Sequence, residues 1–284
     1  MKSRKTIIVD CNYLGHASRF AIDSNLRTSK GIYTNVIYGF LETILNLCNY
    51  YVTNDLIFVW DSKESKRKEL FPDYKKSRHK DLTEDERKAL TEAYKQFKKL
   101  RKRILPALGF NNNFMVSGYE GDDLIADIVM NDPYGKEFLI YASDHDLYQL
   151  LSYNVSIIKK SGIYTVKDFV NEFGISPKKW WRVKALAGCT SDEVPGIKGV
   201  GEKTACKYLK NELKEKSVTY KKIVDEKEEI ETKNKPLVKL PFEGLPHIEL
   251  QKNKFDLEKT KEIFEYYELQ SFLDNFDEWE EILK

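Results

Sequence analysis

Three short apolar runs in this chain each give way to an aspartate, and that recurrence limits the possible folds more than any other feature. Ile7-Ile-Val9 runs directly into Asp10, Leu56-Ile-Phe-Val-Trp60 into Asp61, and Phe138-Leu-Ile-Tyr-Ala142 stops one residue short of Asp144. Runs of this length read as buried strands. Between the first two, Val36, Ile37, Phe40, Leu41, Ile44, Leu45 and Cys48 recur at helical spacing within Thr34 to Tyr51. Strands separated by helical segments imply a parallel sheet, whose carboxyl ends share one edge, and ligands bind at that edge in α/β folds. Asp10, Asp61 and Asp144 are therefore expected side by side. A single aspartate after a strand is ordinarily a turn residue. Three of them, with more carboxylates nearby, point to a bound cation.

The further carboxylates are Glu120-Gly-Asp-Asp123 and Asp144-His-Asp146. Like charges this close repel unless something positive lies among them. Oxygen-only donors suit hard Mg²⁺ or Mn²⁺ rather than zinc. Asp122 and Asp123 also have an ordinary structural use, because acidic residues favour a helix N-terminus.

At 284 residues the chain has room for one large domain or two modest ones. Its 41% hydrophobic and 32% charged content is that of a soluble globular protein. No apolar run approaches the ~20 residues of a membrane span, and Met1-Lys-Ser-Arg-Lys5 leads into a strand rather than a signal segment. Cys11, Cys48, Cys189 and Cys206 lack paired metal-type spacing, which suggests a reducing, cytoplasmic compartment. The net charge of +2 hides an asymmetry: Lys63 to Arg103 holds sixteen Lys or Arg against eight Asp or Glu. A basic segment on an acidic body suggests a polyanionic partner brought to metal-binding carboxylates.

Along the rest of the chain, Asn12 to Gly31 reads as loop and partial helix. In the basic segment, Pro72 and the capping candidate Thr83 suggest two pieces joined by a bend. Tyr74, Lys75 and Arg78 are candidates to face a phosphate backbone, with Tyr74 as a stacking surface. Trp180 to Ala187 reads as a packed helix. Gly199 and Gly201 then allow a tight turn into a new helix, whose free N–H groups can hold a phosphate oxygen, and Lys203 adds positive charge in its first turn. Tyr208 to Lys235 reads as a charged helix pair; Pro236, Pro241, Gly244 and Pro246 interrupt the pattern, and Leu257 to Phe276 closes with aromatic-rich packing helices.

Taken together, the chain resembles the 5′-nuclease family, the flap endonucleases and 5′→3′ exonucleases of bacteria and phages, including the nuclease domain of bacterial DNA polymerase I. The resemblance rests on Ile-Ile-Val-Asp10, Thr34-Asn-Val-Ile-Tyr-Gly-Phe40, Val-Trp-Asp61, Tyr74-Lys-Lys-Ser-Arg78, Glu120-Gly-Asp-Asp123 and Ser-Asp144-His-Asp146. It continues through Ser-Asp192-Glu-Val-Pro-Gly to Gly-Val-Gly-Glu-Lys-Thr-Ala205, and into Phe255-Asp-Leu-Glu-Lys and Tyr267-Glu-Leu-Gln-Ser-Phe272.

The resemblance implies an α/β fold: a PIN-like, mostly parallel sheet flanked by helices over residues 1–175, with a basic helical arch at about 63–103. A helix–hairpin–helix DNA-binding domain would occupy 176–284. By similarity Asp10, Asp61, Glu120 and Asp122, with Asp123 close by, form a first Mg²⁺ or Mn²⁺ site, and Asp144, Asp146 and Asp192 a second. Lys75 matches the arch-base lysine that approaches the scissile phosphate, and Arg78 the neighbouring phosphate-binding arginine. Gly199, Gly201 and Lys203 fall in the hairpin, which commonly holds K⁺ through backbone carbonyls.

The implied activity is two-metal hydrolysis of DNA at 5′ flaps, nicks and ends by a monomer, including RNA-primer junctions beside a replication polymerase. One ion would lower the pKa of a bound water while the other stabilises the leaving oxygen, and Lys75 would face the charge gained by the phosphate. No side-chain nucleophile is required, in keeping with only four histidines, His16, His79, His145 and His247.

One departure bears on the second site. The family reads Gly-Asp-x-Ser-Asp where this chain has Gly188-Cys-Thr-Ser-Asp192, and Glu193 stands where Asn is common. A thiol is a poor Mg²⁺ ligand, so the second site is expected to be weaker or rearranged, or completed by substrate and water. A DNA-structure-binding protein with weakened turnover is the alternative. A small PIN-type ribonuclease leaves the arch and hairpin unexplained.

Overall fold

The computed structural model describes residues 5–78 and 80–284 and is built on one six-stranded sheet; Met1 to Arg4 and His79, mentioned above, lie outside the described residues. The strands are β1 (Lys5–Asp10), β2 (Leu56–Val59), β3 (Asn113–Phe114), β4 (Glu137–Tyr141), β5 (Val155–Lys159) and β6 (Gly162–Tyr164), in the order β3-β2-β1-β4-β5-β6. Only β6 runs antiparallel, pairing with β5. The chain steps from β1 outward to β2 and β3, then returns to the other side of β1 with β4. This reversal makes the carboxyl ends of β1 and β4 the crevice where α/β sheets take ligands. In register, Asp10 lies opposite Val59, and Val9 opposite Tyr141.

Period-two alternation divides the strand residues between two cores. Ile7, Val9, Leu56 and Phe58 face one, with α1 (Cys11–Ala21) and α2 (Asn35–Tyr51); Ile8, Ile57, Val59 and Ile140 face the other. The stretch read as loop and partial helix is helical from Cys11, because Asp10 itself caps α1: its Oδ1 accepts from the Tyr13 amide at 2.9 Å.

The basic segment folds as α3 (Lys66–Leu70), a turn, and α4 (Glu84–Lys99), which runs through one π turn at Leu100–Ile104 into α5 (Leu105–Leu108). Thr83 and Glu86 form a reciprocal capping box at the start of α4. Farther along, α4 is core rather than open arch: Ala93, Gln96 and Phe97 are buried. Gln96 Oε1 accepts from the amides of Val36 and Ile37 at 3.0 and 3.2 Å. It thereby caps α2, whose own N-cap residue, Thr34, makes no such bond.

Beyond β3 come α6 (Gly121–Met130), α7 (Val166–Phe173), α8 (Trp180–Ala187) and α9 (Glu202–Leu209). The expected pair over Tyr208 to Lys235 is instead the end of α9 followed by one 21-residue helix, α10 (Val218–Val238). Pro236 does not end it, because in the last turn its missing N–H removes a single ladder bond. The last helices, α11 (Leu257–Tyr266), α12 (Gln270–Asp274) and α13 (Phe276–Ile282), return to the sheet: Phe264, Tyr267, Phe272 and Trp279 join the core of β1 and α2. Trp180, Val183, Ile197, Ala205 and Ile223 join the core on the other face. Residues after 175 therefore pack on the same sheet as those before it.

Replacing Gln96 with Leu leaves two amide donors and Asn35 without partners, so the variant is expected to lose about 1–3 kcal/mol of stability, read as a lower urea midpoint with unchanged slope.

Candidate metal centre and nucleic-acid interface

The carboxylates arrive from four elements. Asp10 ends β1, Asp61 follows β2, Asp122 sits in the first turn of α6, and Asp144 follows β4. The Gly121 amide donates to Asp61 Oδ1 at 2.7 Å, tying the end of β2 to the start of α6. A side chain at 121 would press on that oxygen at 3.2 Å, which accounts for the glycine between Glu120 and Asp122.

Burial and mutual repulsion raise several of these groups. Burial, then Asp61 and Asp144, push Asp10 up to about 7. Burial, then Asp144, Asp10 and Asp61, hold Asp122 well above the usual carboxylate range. Asp61 is raised by burial and by Glu120, although it meets solvent at the rim, where water screens part of the repulsion. Among the described residues no ion pair reaches Asp10, Asp61 or Asp122.

Glu120, Asp146 and Asp192 have protein cations, whereas Asp144 is held by a backbone amide. Glu120 accepts from Lys75 Nζ at 2.8 Å and from the Tyr74 hydroxyl at 3.1 Å, with Arg67 at 3.6 Å. Burial raises Glu120, but Lys75 and Arg67 outweigh it and leave the group below its ordinary value. Asp192 pairs with Arg78 at 2.8 Å and lies 4.0 Å from Lys75. Asp144 Oδ1 accepts from the Asp146 amide at 2.7 Å. Burial and Asp144 push Asp146 up to about 6, opposed by the Lys184 ammonium 3.1 Å away. Even so, Asp146 Oδ1 is buried without an aligned hydrogen bond.

Backbone contacts join the basic turn to the loop after α8. The Lys75 amide donates to the Asp192 carbonyl at 3.0 Å, and the Ser77 amide to Glu193 Oε1 at 2.6 Å. Lys75 and Glu193 both adopt left-handed backbone, with φ of 52° and 57°. Such conformations persist where surrounding contacts over-determine them, often at functional sites.

Two expectations change. Asp123 is fully buried, and its oxygens accept from Arg67 at 2.6 and 2.7 Å, from the Phe242 amide at 2.8 Å and from the Glu120 amide at 3.1 Å. With both oxygens committed, Asp123 anchors the site rather than binding an ion. Tyr74 is only 2% exposed and packs with Ala185, Val194, Leu237 and Val238, so its ring offers no stacking face. Its role is to hold Glu120. Gly199, with φ of 86°, Gly201 and Lys203 lie exposed at the turn into α9.

Sequence reasoning missed Arg67 and Lys184. Arg67 was one of many cations in its run. Lys184 had a signal, a lone lysine within Val183-Lys-Ala-Leu186 of an apolar helix.

The donor chemistry fits hard divalent cations: oxygen ligands, and the raised carboxyls of Asp10, Asp61 and Asp122, which form no ion pair among the described residues. As the side chains stand, no three His, Cys, Asp or Glu among the described residues are close enough to cage an ion. A pocket of about 210 Å³ beside Asp144 is lined by Tyr13, His145, Tyr148, Lys159 and Lys160 among others. A larger cleft, about 760 Å³, opens near Asn54, Asp55 and Lys136, which precede β2 and β4, at the opposite end of the strands.

The N-terminal resolvase-like domain of 5′-3′ exonucleases matches residues 5–174. The chain belongs to the 5′-3′ exonuclease family. It is 34% identical to the 5′-3′ exonuclease of Aquifex aeolicus, with 95% of this chain and 94% of that protein aligned. It is also 34% identical to the thermostable DNA polymerase I of Thermus thermophilus over 72% of this chain, but spans only 24% of that polymerase. The fold is shared with the T5 5′-exonuclease solved with zinc, at a TM-score of 0.70 and 22% identity, covering 99% of this chain and all of that one. The catalytic core of Rad2 in complex with DNA substrate matches at a TM-score of 0.56 and 14% identity, over 93% of this chain and 87% of that one.

For this exonuclease-family chain the raised carboxyls fix the sign of a pH effect. A carboxyl with a higher pKa when folded is protonated preferentially there, so ionising it costs stability: nothing below its ordinary value of 3.8, the full amount above about 7. Asp10→Asn keeps a capping oxygen for α1. Without divalent cations it should raise stability by about 1–3 kcal/mol at pH 8 and leave it nearly unchanged at pH 3. Thermal melts at the two pH values test this, and equal gains at both would refute the assignment.

Proposed function

We propose that this chain is a structure-specific 5′ nuclease, a flap endonuclease and 5′→3′ exonuclease that hydrolyses DNA phosphodiesters at 5′ flaps, nicks and ends. The observation that carries this reading is the rim of carboxylates at the β1–β4 crevice, of which Asp10, Asp61 and Asp122 form no ion pair among the described residues, bordered by the cationic turn of Lys75 and Arg78. Related proteins point the same way: one solved neighbour is the bacteriophage T5 flap endonuclease in a pseudo-enzyme–product complex with DNA and metal ions.

Asp10, Asp61, Glu120 and Asp122 would hold a first Mg²⁺ or Mn²⁺, and Asp144, Asp146 and Asp192 a second. Bound there, such ions supply an ionised water near neutral pH and stabilise the leaving oxygen. Lys75 bridges the two carboxylate groups through Glu120 and Asp192, which supports a role facing the scissile phosphate as it gains charge. Arg78 would hold the neighbouring phosphate.

Duplex DNA would lie across the turn of Gly199, Gly201 and Lys203, where N–H groups free at the start of α9 favour a phosphate, with K⁺ held by turn carbonyls. In this reading residues 1–175 cut and 176–284 grip DNA. Substrates include RNA–DNA primer junctions, and the protein works as a monomer beside a replication polymerase. A weakened nuclease that mainly binds branched DNA is the second reading, favoured by Cys189 and by the cations already paired with Glu120 and Asp192. A labelled 5′-flap duplex incubated with Mg²⁺ separates the two, since stoichiometric binding without product supports the binder.

Asp122→Ala should lower flap cleavage at least about a hundredfold while the duplex affinity measured in Ca²⁺ stays near wild type; a matching loss of affinity would contradict the catalytic assignment. Lys203→Ala should instead weaken duplex binding and reduce the slope of log K against log salt by about one. An unchanged slope would remove Lys203 from the phosphate contact.

A further inference from the structure

The two carboxylate groups are not balanced alike. In the first group Asp10, Asp61 and Asp122 form no ion pair among the described residues and only Glu120 is paired, with Lys75 at 2.8 Å and Arg67 at 3.6 Å; in the second, Asp192 has Arg78 at 2.8 Å and Asp146 has Lys184 at 3.1 Å. Lys184 is 7% exposed, a burial that a lysine seldom reaches without partners. It sits mid-helix on α8, where an apolar side chain would complete the packing of Val183, Ala185 and Leu186, and its ammonium also lies 3.4 Å from Glu202, the first residue of α9. In the loop that follows, Cys189 brings a thiol to a position where a carboxylate would have added another negative charge; its Sγ meets the Ser191 hydroxyl at 3.1 Å.

We propose that Lys184 is a built-in cation of the second carboxylate group, balancing Asp146 so that this group takes a divalent ion much more weakly than the first. The inference rests on the reading of these carboxylates as metal-binding. Charge arithmetic supports it: Lys184 and Arg78 offset two of the three negative charges of Asp144, Asp146 and Asp192. At about 3 Å, an ammonium beside a ligand oxygen repels an incoming dication strongly even at an effective dielectric constant near 20. The chain therefore works with one tightly held ion, and the second arrives weakly or together with substrate. Lys184 is a positioning residue and does not touch the reacting atoms.

Mn²⁺ counted by electron paramagnetic resonance on the full chain without DNA reads this independently of cleavage. The wild type should bind one ion tightly and a second at least about tenfold more weakly; Lys184→Met should tighten the second by about tenfold or more and leave the first unchanged. Two ions of equal affinity in the wild type, no bound ion, or a second affinity unmoved by Lys184→Met would each overturn the proposal. Should circular dichroism show Lys184→Met unfolded, Lys184→Gln removes the charge while retaining a hydrogen-bond donor to Asp146, and is held to the same outcomes. Flap cleavage by the wild type is scored separately. Failure to cut with the expected Mn²⁺ pattern removes the nuclease reading alone, and cutting with two equal ions removes the Lys184 inference alone.

Discussion

Repulsion among Asp10, Asp61, Asp122 and Asp144 sets the terms for the rest of this structure. The parallel sheet and the start of α6 bring their backbones to one edge; partial burial deprives Asp10 and Asp122 of screening water, while Asp61 and Asp144 stay exposed at the rim. A fold of this kind holds such a cluster only if its supports are strong, and they are. Asp10 is fixed by capping α1, Asp61 by the Gly121 amide, and Asp144 by the Asp146 amide. Each of these supports engages a single carboxylate oxygen.

A second layer of buried contacts keeps the edge in place. Arg67 grips Asp123 through two nitrogens, donates to the Leu237 carbonyl at 3.0 Å and lies over the Phe242 ring. One side chain thus joins α3, the start of α6 and the segment after α10. Removing either partner of such a buried pair leaves a charge stranded, an effect commonly worth about 3–5 kcal/mol. The zipper between the Lys75 turn and the Asp192 loop works at the surface of the same assembly. It joins the basic segment to the region that carries the glycine turn, so the cationic approach to the crevice and the surface beyond α8 are registered against each other. Lys184 extends the linkage, reaching from Asp146 to Glu202 at the start of α9.

Much of this was legible in the residues. The three strand–aspartate junctions, α2, α8 and the Thr83 cap of α4 fall where the sequence puts them, because period and capping are local properties. The basic segment was legible only in part. Its charge was plain, but the burial of Phe97 and the reach of Gln96 to the start of α2 depend on residues some sixty positions away. Tyr74 and Asp123 show the same limit. Each sits within a motif rich in functional side chains, and only the packing around it shows that its polar atoms are spent on support.

The amino-acid order by itself determined the alternation of strand and helix and the placing of an acid at each strand end. Together with the glycine turn before α9, these amount to the fold class and the chemistry of the crevice. The tertiary structure decided which acids are matched by Arg67, Lys75, Arg78 or Lys184 and which form no ion pair among the described residues. The physical reason is range. Periodicity and capping act within a few residues, whereas the balance of charge in a buried crevice depends on side chains that meet only after the chain has closed on itself.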